Sequence, residues 1–314
     1  MLTHLIILLD DTSASYCHYN AISGVRRLIS IEHLRAGILF AMKENLNIQF
    51  VYPDYALPQE YDKVIETIDH SKLAPDVYPG KMIDIWVLDH WESCPLDKFR
   101  NQTCIIRTTW RNLSVYKERI RQIIAEVGRL NIVITDVESF QDGNIEDYRQ
   151  TLDEYVEILS AQYAAGHSDQ LNILTDRVSL REMNNCNAGD TNVTLAPNGK
   201  FYLCPAFYYE NDSQSVGDLE RGLCIMNKQL LRIDHAPICR NCDAFQCKRC
   251  IWMNGRLTLD YNTPSHQQCV MAHLERNASS RLQAKLRQMG YQKKMDVIEE
   301  ISELDPFNYT NKWK

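Results

Sequence analysis

Through the first half of the chain, short apolar runs alternate with stretches whose apolar residues return every three or four positions. The runs His4–Leu9 (HLIILL), Asn47–Val51, Ile83–Leu88 (IDIWVL), Thr103–Thr108 (TCIIRT), Asn131–Thr135 (NIVIT) and Leu171–Thr175 (LNILT) read as buried strands. Between them, Ile31–Glu44, Tyr61–His70, Leu113–Val127 and Ile145–Ala165 carry helical periodicity. Asn112 is available to cap the third, and Leu152, Tyr155, Val156 and Leu159 form the apolar stripe of the fourth. A short helix is expected near Pro95–Arg100. Strands alternating with helices at short spacing predict a parallel α/β sheet with right-handed crossovers. Six β–α units are too few for a closed eight-fold barrel. A doubly wound sheet would give the same alternation and stays open.

After Arg177 the pattern changes. Asn192–Leu195 and Lys200–Leu203 read as a β-hairpin turning at Asn198-Gly199, with Gly199 there for its positive φ and Cys204 at the strand end. Asp218–Gln229 is expected to form a short helix, and Met271–Met289 and Met295–Leu304 two more. The reading divides the chain into an α/β part (1–178), a cysteine-rich part (179–270) and a C-terminal helical part (271–314).

A net charge of −7 without a basic stripe argues against nucleic acid as a partner. The apolar run Leu5–Leu9 ends at Asp10-Asp11, far short of an export signal or a membrane span. The expected compartment is therefore a reducing cytoplasm, where eleven cysteines point to metal sites sooner than to disulfides.

Eight of those cysteines fall between Cys186 and Cys269. Cys239, Cys242, Cys247 and Cys250 lie too close together for two independent disulfides. A zinc ribbon separates its two CxxC knuckles by about 15–20 residues, whereas four residues separate them here. The density favours an iron–sulfur site, with zinc as the alternative. Arg240, Lys248, Arg249 and Arg256 flank the thiols and would favour thiolates, or else they form a solvated surface.

The order Cys186-x12-Gly199-x4-Cys204, then four cysteines, then Cys269, resembles the seven-cysteine SPASM domain that follows the barrel in peptide-modifying radical SAM maturases. Ser215-Val-Gly-Asp-Leu219 resembles the strand turn that the family places after its second cysteine. The central run of the family is CxxC-x5-C-x3-C; here each of the last two gaps is one residue shorter. As a whole the chain is similar to the CXXX-repeat peptide maturases.

The resemblance implies a partial (β/α)6 barrel of radical SAM type, a SPASM-like domain with a β-hairpin, C-terminal helices and two auxiliary 4Fe–4S clusters. Cys186, Cys204 and Cys250 would bind the first cluster, and Cys239, Cys242, Cys247 and Cys269 the second. Cys224 would raise the local total to eight, enough to close two cubanes, or would pack as a small hydrophobe within Leu223–Met226. The implied activity is modification of a small, ribosomally made, cysteine-bearing precursor peptide. Leader recognition would fall to a partner maturase, to a leader-binding protein or to a free sheet edge.

The family's CxxxCxxC is missing. The loop after the first strand reads Thr12-Ser-Ala-Ser-Tyr-Cys17-His-Tyr-Asn, and Val51-Tyr-Pro-Asp54 stands where a Gly-Gly-Glu-Pro-like segment would bind SAM. Both departures imply that the reductive SAM site is degenerate or absent. Asp10, Cys17 and Asp54 could form a substrate site at the barrel mouth, although capping explains the acids more cheaply. Two further readings stand beside the maturase: a catalytically degenerate scaffold that binds the precursor or a partner maturase, and a structural zinc protein.

Overall fold

The structure is a computed structural model describing residues 2–14, 25–291 and 296–307. Cys17, His18 and the first residue of the helix expected over Met295–Leu304 lie outside the described residues. The first elements are β1 (His4–Leu8), α1 (Ile31–Glu44), β2 (Asn47–Val51), α2 (Gln59–Ile65), β3 (His70–Pro75) and β4 (Ile85–Leu88). There follow β5 (Thr103–Thr108), α3 (Trp110–Val115), α4 (Lys117–Glu126), β6 (Arg129–Ile134), α5 (Ile145–Ala164), β7 (Gln170–Leu171) and α6 (Asn172–Ser179). The rest is β8 (Asn192–Leu195), β9 (Phe201–Tyr202), α7 (Pro205–Glu210), β10 (Gly217–Asp218), β11 (Gly222–Leu223), α8 (Ile251–Thr258) and α9 (His266–Gln288), with short 3-10 turns between. No helix among the described residues is long and apolar enough to cross a membrane.

The chain forms two compact units, each built from two stretches: Met1–Cys94 with Asn187–Arg232, and Pro95–Cys186 with Ile233–Lys314. Where the boundaries at 178 and 270 follow cysteine density, these units follow packing. In the first unit the strand order is β4-β3-β2-β1-β8-β9, parallel except for the antiparallel β9. β1 lies between two neighbours, and Leu5, Ile7 and Leu8 are wholly buried. α1 covers it with Leu34, Ile38 and Ala41. Gly37 lets α1 lie close to the neighbouring β8, since a Cβ there would fall 2.4 Å from Leu195 Cδ2. The β8–β9 hairpin turns at Gly199, whose φ is 77°.

In the second unit β7-β6-β5 are parallel, and α5 and α9 pack side by side. Leu152, Tyr155 and Leu159 of α5 and Leu274, Ala278 and Leu282 of α9 are buried.

The helix and strand over residues 31–51 and β5 match their sequence boundaries. Several other elements differ. β3 is an additional strand, inserted between β2 and β4. Its sequence, HSKLAP, has a polar first half and a proline at its end, so no apolar run announces it. The expected helix Leu113–Val127 starts earlier, is capped by Thr109 rather than Asn112, and breaks at Tyr116 into α3 and α4. Of the expected strand Leu171–Thr175 only Leu171 is extended; the rest enters α6. Here a side chain replaces the ladder: Asn172 Oδ1 accepts from Ile132 N–H at 2.8 Å, and its Nδ2 donates to Ile132 O at 3.0 Å.

Asp218–Gln229 is not one helix. It opens as the β10–β11 hairpin, in which Asp218 Oδ1 accepts from the amides of Glu220 and Arg221, and a 3-10 turn follows at Lys228–Leu231. The described part of Met295–Leu304 is also not helical. Side chains of α9 hold its backbone instead. Gln283 accepts from Ile298 N–H at 3.0 Å and donates to Asp296 O at 2.9 Å, Asn277 bonds both backbone groups of Ile301, and Arg276 donates to Glu299 O.

Two outcomes follow. Asn172→Leu should destabilise the protein by roughly 1–3 kcal/mol in chemical denaturation, because both backbone groups of buried Ile132 lose their partner. Glu275 of α9 is buried and pushed up to about 7; Tyr148 O–H at 2.9 Å and Gln246 at 3.4 Å pull it down less than burial raises it. Because the folded state binds this proton more tightly than the unfolded chain, the contribution is full at low pH and lost as pH rises through the folded value. Relative to Glu275→Gln, the parent should lose about 1–2 kcal/mol of stability between about pH 6 and about pH 8, read from paired denaturation curves.

Candidate metal centre

The segment Ile238–Cys250 folds so that its backbone serves its sulfurs. Cys239 opens a 3-10 turn that ends with Cys242 N–H donating to Cys239 O at 3.1 Å. The chain is extended at Cys242, and Ala244 N–H then points back at Cys242 Sγ, 3.4 Å away. The next knuckle repeats this arrangement, with Arg249 N–H 3.4 Å from Cys247 Sγ. It requires Arg249 in the left-handed region, at φ 43°, a conformation costing about 1–2 kcal/mol for a residue with a Cβ. Cys250 begins α8, and its sulfur accepts from Met253 N–H at 3.5 Å. Cys269 comes from the first turns of α9, where Ser265 and Gln268 form a capping box and the helix end carries partial positive charge.

Cys239, Cys242, Cys247 and Cys269 line one cavity of about 220 Å³, together with Arg249 and His273. They are unbridged thiols. Among the described residues no three His, Cys, Asp or Glu side chains converge closely enough to grip a single ion. The four cysteines share the lining of one space.

Burial pushes Cys239 up to about 11 and Cys247 up to about 12, and it raises Cys242 and Cys269 as well. Alone, the set would stay protonated at neutral pH; a bound cationic centre would draw the protons off. The surroundings fit that demand. N–H groups face two of the sulfurs, and the Arg249 guanidinium is buried nearby, donating to Asn185 and Asn262. Asp243, within the first knuckle, is gripped by Arg276 through Nε and Nη2, both at 2.6 Å, and by Arg177 at 3.1 Å. Burial alone would push Asp243 up, but Arg276 and Arg177 outweigh it and hold the carboxyl below its usual range. The flanking cations thus divide: Arg249 is buried, whereas Arg240 and Arg256 are exposed.

The other motif cysteines are dispersed through the chain. Cys186, in the second unit, is exposed, and its N–H donates to Lys248 O at 3.3 Å. Cys250 is half-buried in the same unit. Cys204 is buried in the first unit at the start of α7. Cys224, expected either to ligate or to pack, is exposed just after β11. In the first unit Asp10 is buried and accepts from Thr12 N–H, Thr12 Oγ1 and Tyr55 O–H. Asp54 is on the surface, paired at 3.2 Å with Arg26, whose guanidinium lies over the Tyr55 ring.

Some participants were not visible in the cysteine pattern. Tyr208 of α7 donates to Asp11 at 2.5 Å, while Arg27 donates to both. His273 lines the cavity because α9 starts at His266 and not at Met271, which places Cys269 and His273 four residues apart on one helix. Ser265-x-x-Gln268, a capping-box pattern, was the available signal.

No protein-family model matches this chain, and no curated protein matches it in sequence. Solved structures do match. A structure of anSMEcpe, an anaerobic sulfatase-maturating enzyme, with bound AdoMet and the Cp18Cys peptide superposes with a TM-score of 0.58 at 11% identity. It covers 93% of this chain and 100% of that one. The hexahistidine-tagged enzyme with AdoMet gives 0.61 at 12% identity, covering 94% and 97%. The enzyme with the Kp18Cys peptide gives 0.55 at 12%, covering 92% and 100%. At such identity the likeness is one of fold alone: this chain shares the fold of these anSMEcpe structures.

Proposed function

We propose that this chain acts in the modification of a ribosomally made, cysteine-bearing peptide and carries iron–sulfur clusters in its cysteine-rich segment. The observation that carries the reading is the set of four thiols around one cavity, within a fold shared with an enzyme solved in complex with peptides. A space lined by four cysteines suits a polynuclear cluster, with Cys239, Cys242, Cys247 and Cys269 as its holders. The seven-cysteine spacing extends the reading to a second cluster. A bound cluster would supply electron transfer or an iron site for a substrate thiol. The chain's own residues supply the rest: N–H donors that steady anionic sulfur, and the Asp243–Arg276 pair that fixes the knuckle.

One observation favours a second reading, a scaffold without radical chemistry. The loop after β1 carries one cysteine where the family has three, and Asp11 at its start is already committed to Tyr208 and Arg27.

Anaerobically reconstituted protein should bind about eight irons per chain, and Cys247→Ala about four fewer. A colourless protein with stoichiometric zinc would sink the cluster reading. Release of 5′-deoxyadenosine from SAM by the reduced protein, with about four irons beyond these eight, is the expected result for the maturase. Its absence at full iron content identifies the scaffold.

A further inference from the structure

The cavity has a donor that no cysteine pattern contains. Cys269 and His273 stand four residues apart on α9, so their side chains leave the same face of the helix, and both line the cavity. His273 is only 8% exposed. Its Nδ1–H donates to the Leu304 carbonyl. With Nδ1–H given to that carbonyl, Nε2 is the ring nitrogen left as a donor atom toward the cavity. Nε2 lies 3.4 Å from Cys242 Sγ. A far nitrogen tied to a backbone carbonyl and a near nitrogen turned toward thiols is the arrangement in which proteins hold metal-bound imidazoles.

While Cys242 is a thiol, its S–H can donate to Nε2. At that separation Nε2 and Cys242 Sγ are neighbouring donor atoms in one cavity, so an iron served by one lies beside the other. We propose that His273, through Nε2, is an alternative ligand to the iron served by Cys242. The cavity would then offer Cys239, Cys247 and Cys269 as fixed ligands, with Cys242 and His273 sharing the remaining position. Exchanging a thiolate for a neutral imidazole removes one negative charge and favours the reduced cluster. The inference rests on the reading that this cavity holds an iron–sulfur cluster.

The test compares anaerobically reconstituted full-length parent, Cys242→Ala, His273→Gln and the double variant, each grown with isotopically labelled histidine. Iron content and histidine nitrogen coupling in the pulsed EPR of the reduced proteins are the readouts. Cys242→Ala should keep the parent's iron and show a histidine coupling. The double variant should lack that coupling and bind about four irons fewer. If Cys242→Ala is insoluble, Cys242→Ser is read in the same way. The inference is overturned if the soluble Cys242 variant binds about four irons fewer than the parent, if it keeps its iron without a histidine coupling, or if both Cys242 variants are insoluble. A parent that binds no iron defeats the cluster reading itself, whereas iron in the parent and its loss in Cys242→Ala defeats only the role of His273.

Discussion

Four sulfurs facing one cavity is an electrostatic liability, and much of the second unit is arranged around it. Buried thiols keep their protons, and thiolates brought together repel one another, so the segment needs positive charge and aimed donors before it can hold a metal. Arg249 supplies both. Its backbone accepts a left-handed conformation that turns an N–H toward Cys247, and its side chain brings a buried cation to the cavity wall. Asp243 and Arg276 contribute differently. A carboxylate gripped at two points by a guanidinium from α9 anchors the first knuckle to a 23-residue helix, so the knuckle inherits that helix's rigidity.

The same logic makes α9 the organiser of its unit. One face packs against α5, its first turns deliver Cys269, and its middle supplies His273, Glu275 and Arg276 in near succession. The large buried polar content of this helix explains its weak hydrophobic pattern: His273, Glu275, Arg276, Asn277, Ser279 and Gln283 are all buried, each engaged by a partner. A strictly apolar reading of the helix finds Leu274, Ala278 and Leu282 and misses the polar residues that tie the unit together.

That difference marks how far the sequence is legible. β1, α1, β2 and β5 were readable because burial on both faces, or a regular stripe, writes itself directly into apolar spacing. β3 was not, because HSKLAP owes its strand to the neighbours on either side and not to its own composition. Leu171–Thr175 misled for the opposite reason: an apolar run shaped like a strand gives way to a helix once the Asn172 amide takes over the pairing with Ile132. At the candidate site, thiol spacing gathered Cys239, Cys242, Cys247 and Cys250, and the family resemblance is what set Cys269 beside the first three. His273 could be paired with Cys269 only once α9 was known to start at His266, since the expected start at Met271 left Cys269 outside the helix.

The C-terminal stretch along α9 is held by its peptide groups. Gln283, Asn277 and Arg276 address the backbone of residues 296–301, and His273 that of Leu304. Recognition of this kind fixes the path of the backbone, and the stretch adds ties of its own through buried Ile298 and through Glu300, paired with Arg281 at 3.1 Å. Part of this molecule's architecture is therefore recorded one element away from where it is seen, in the polar residues of a helix and not in the segment whose path they determine.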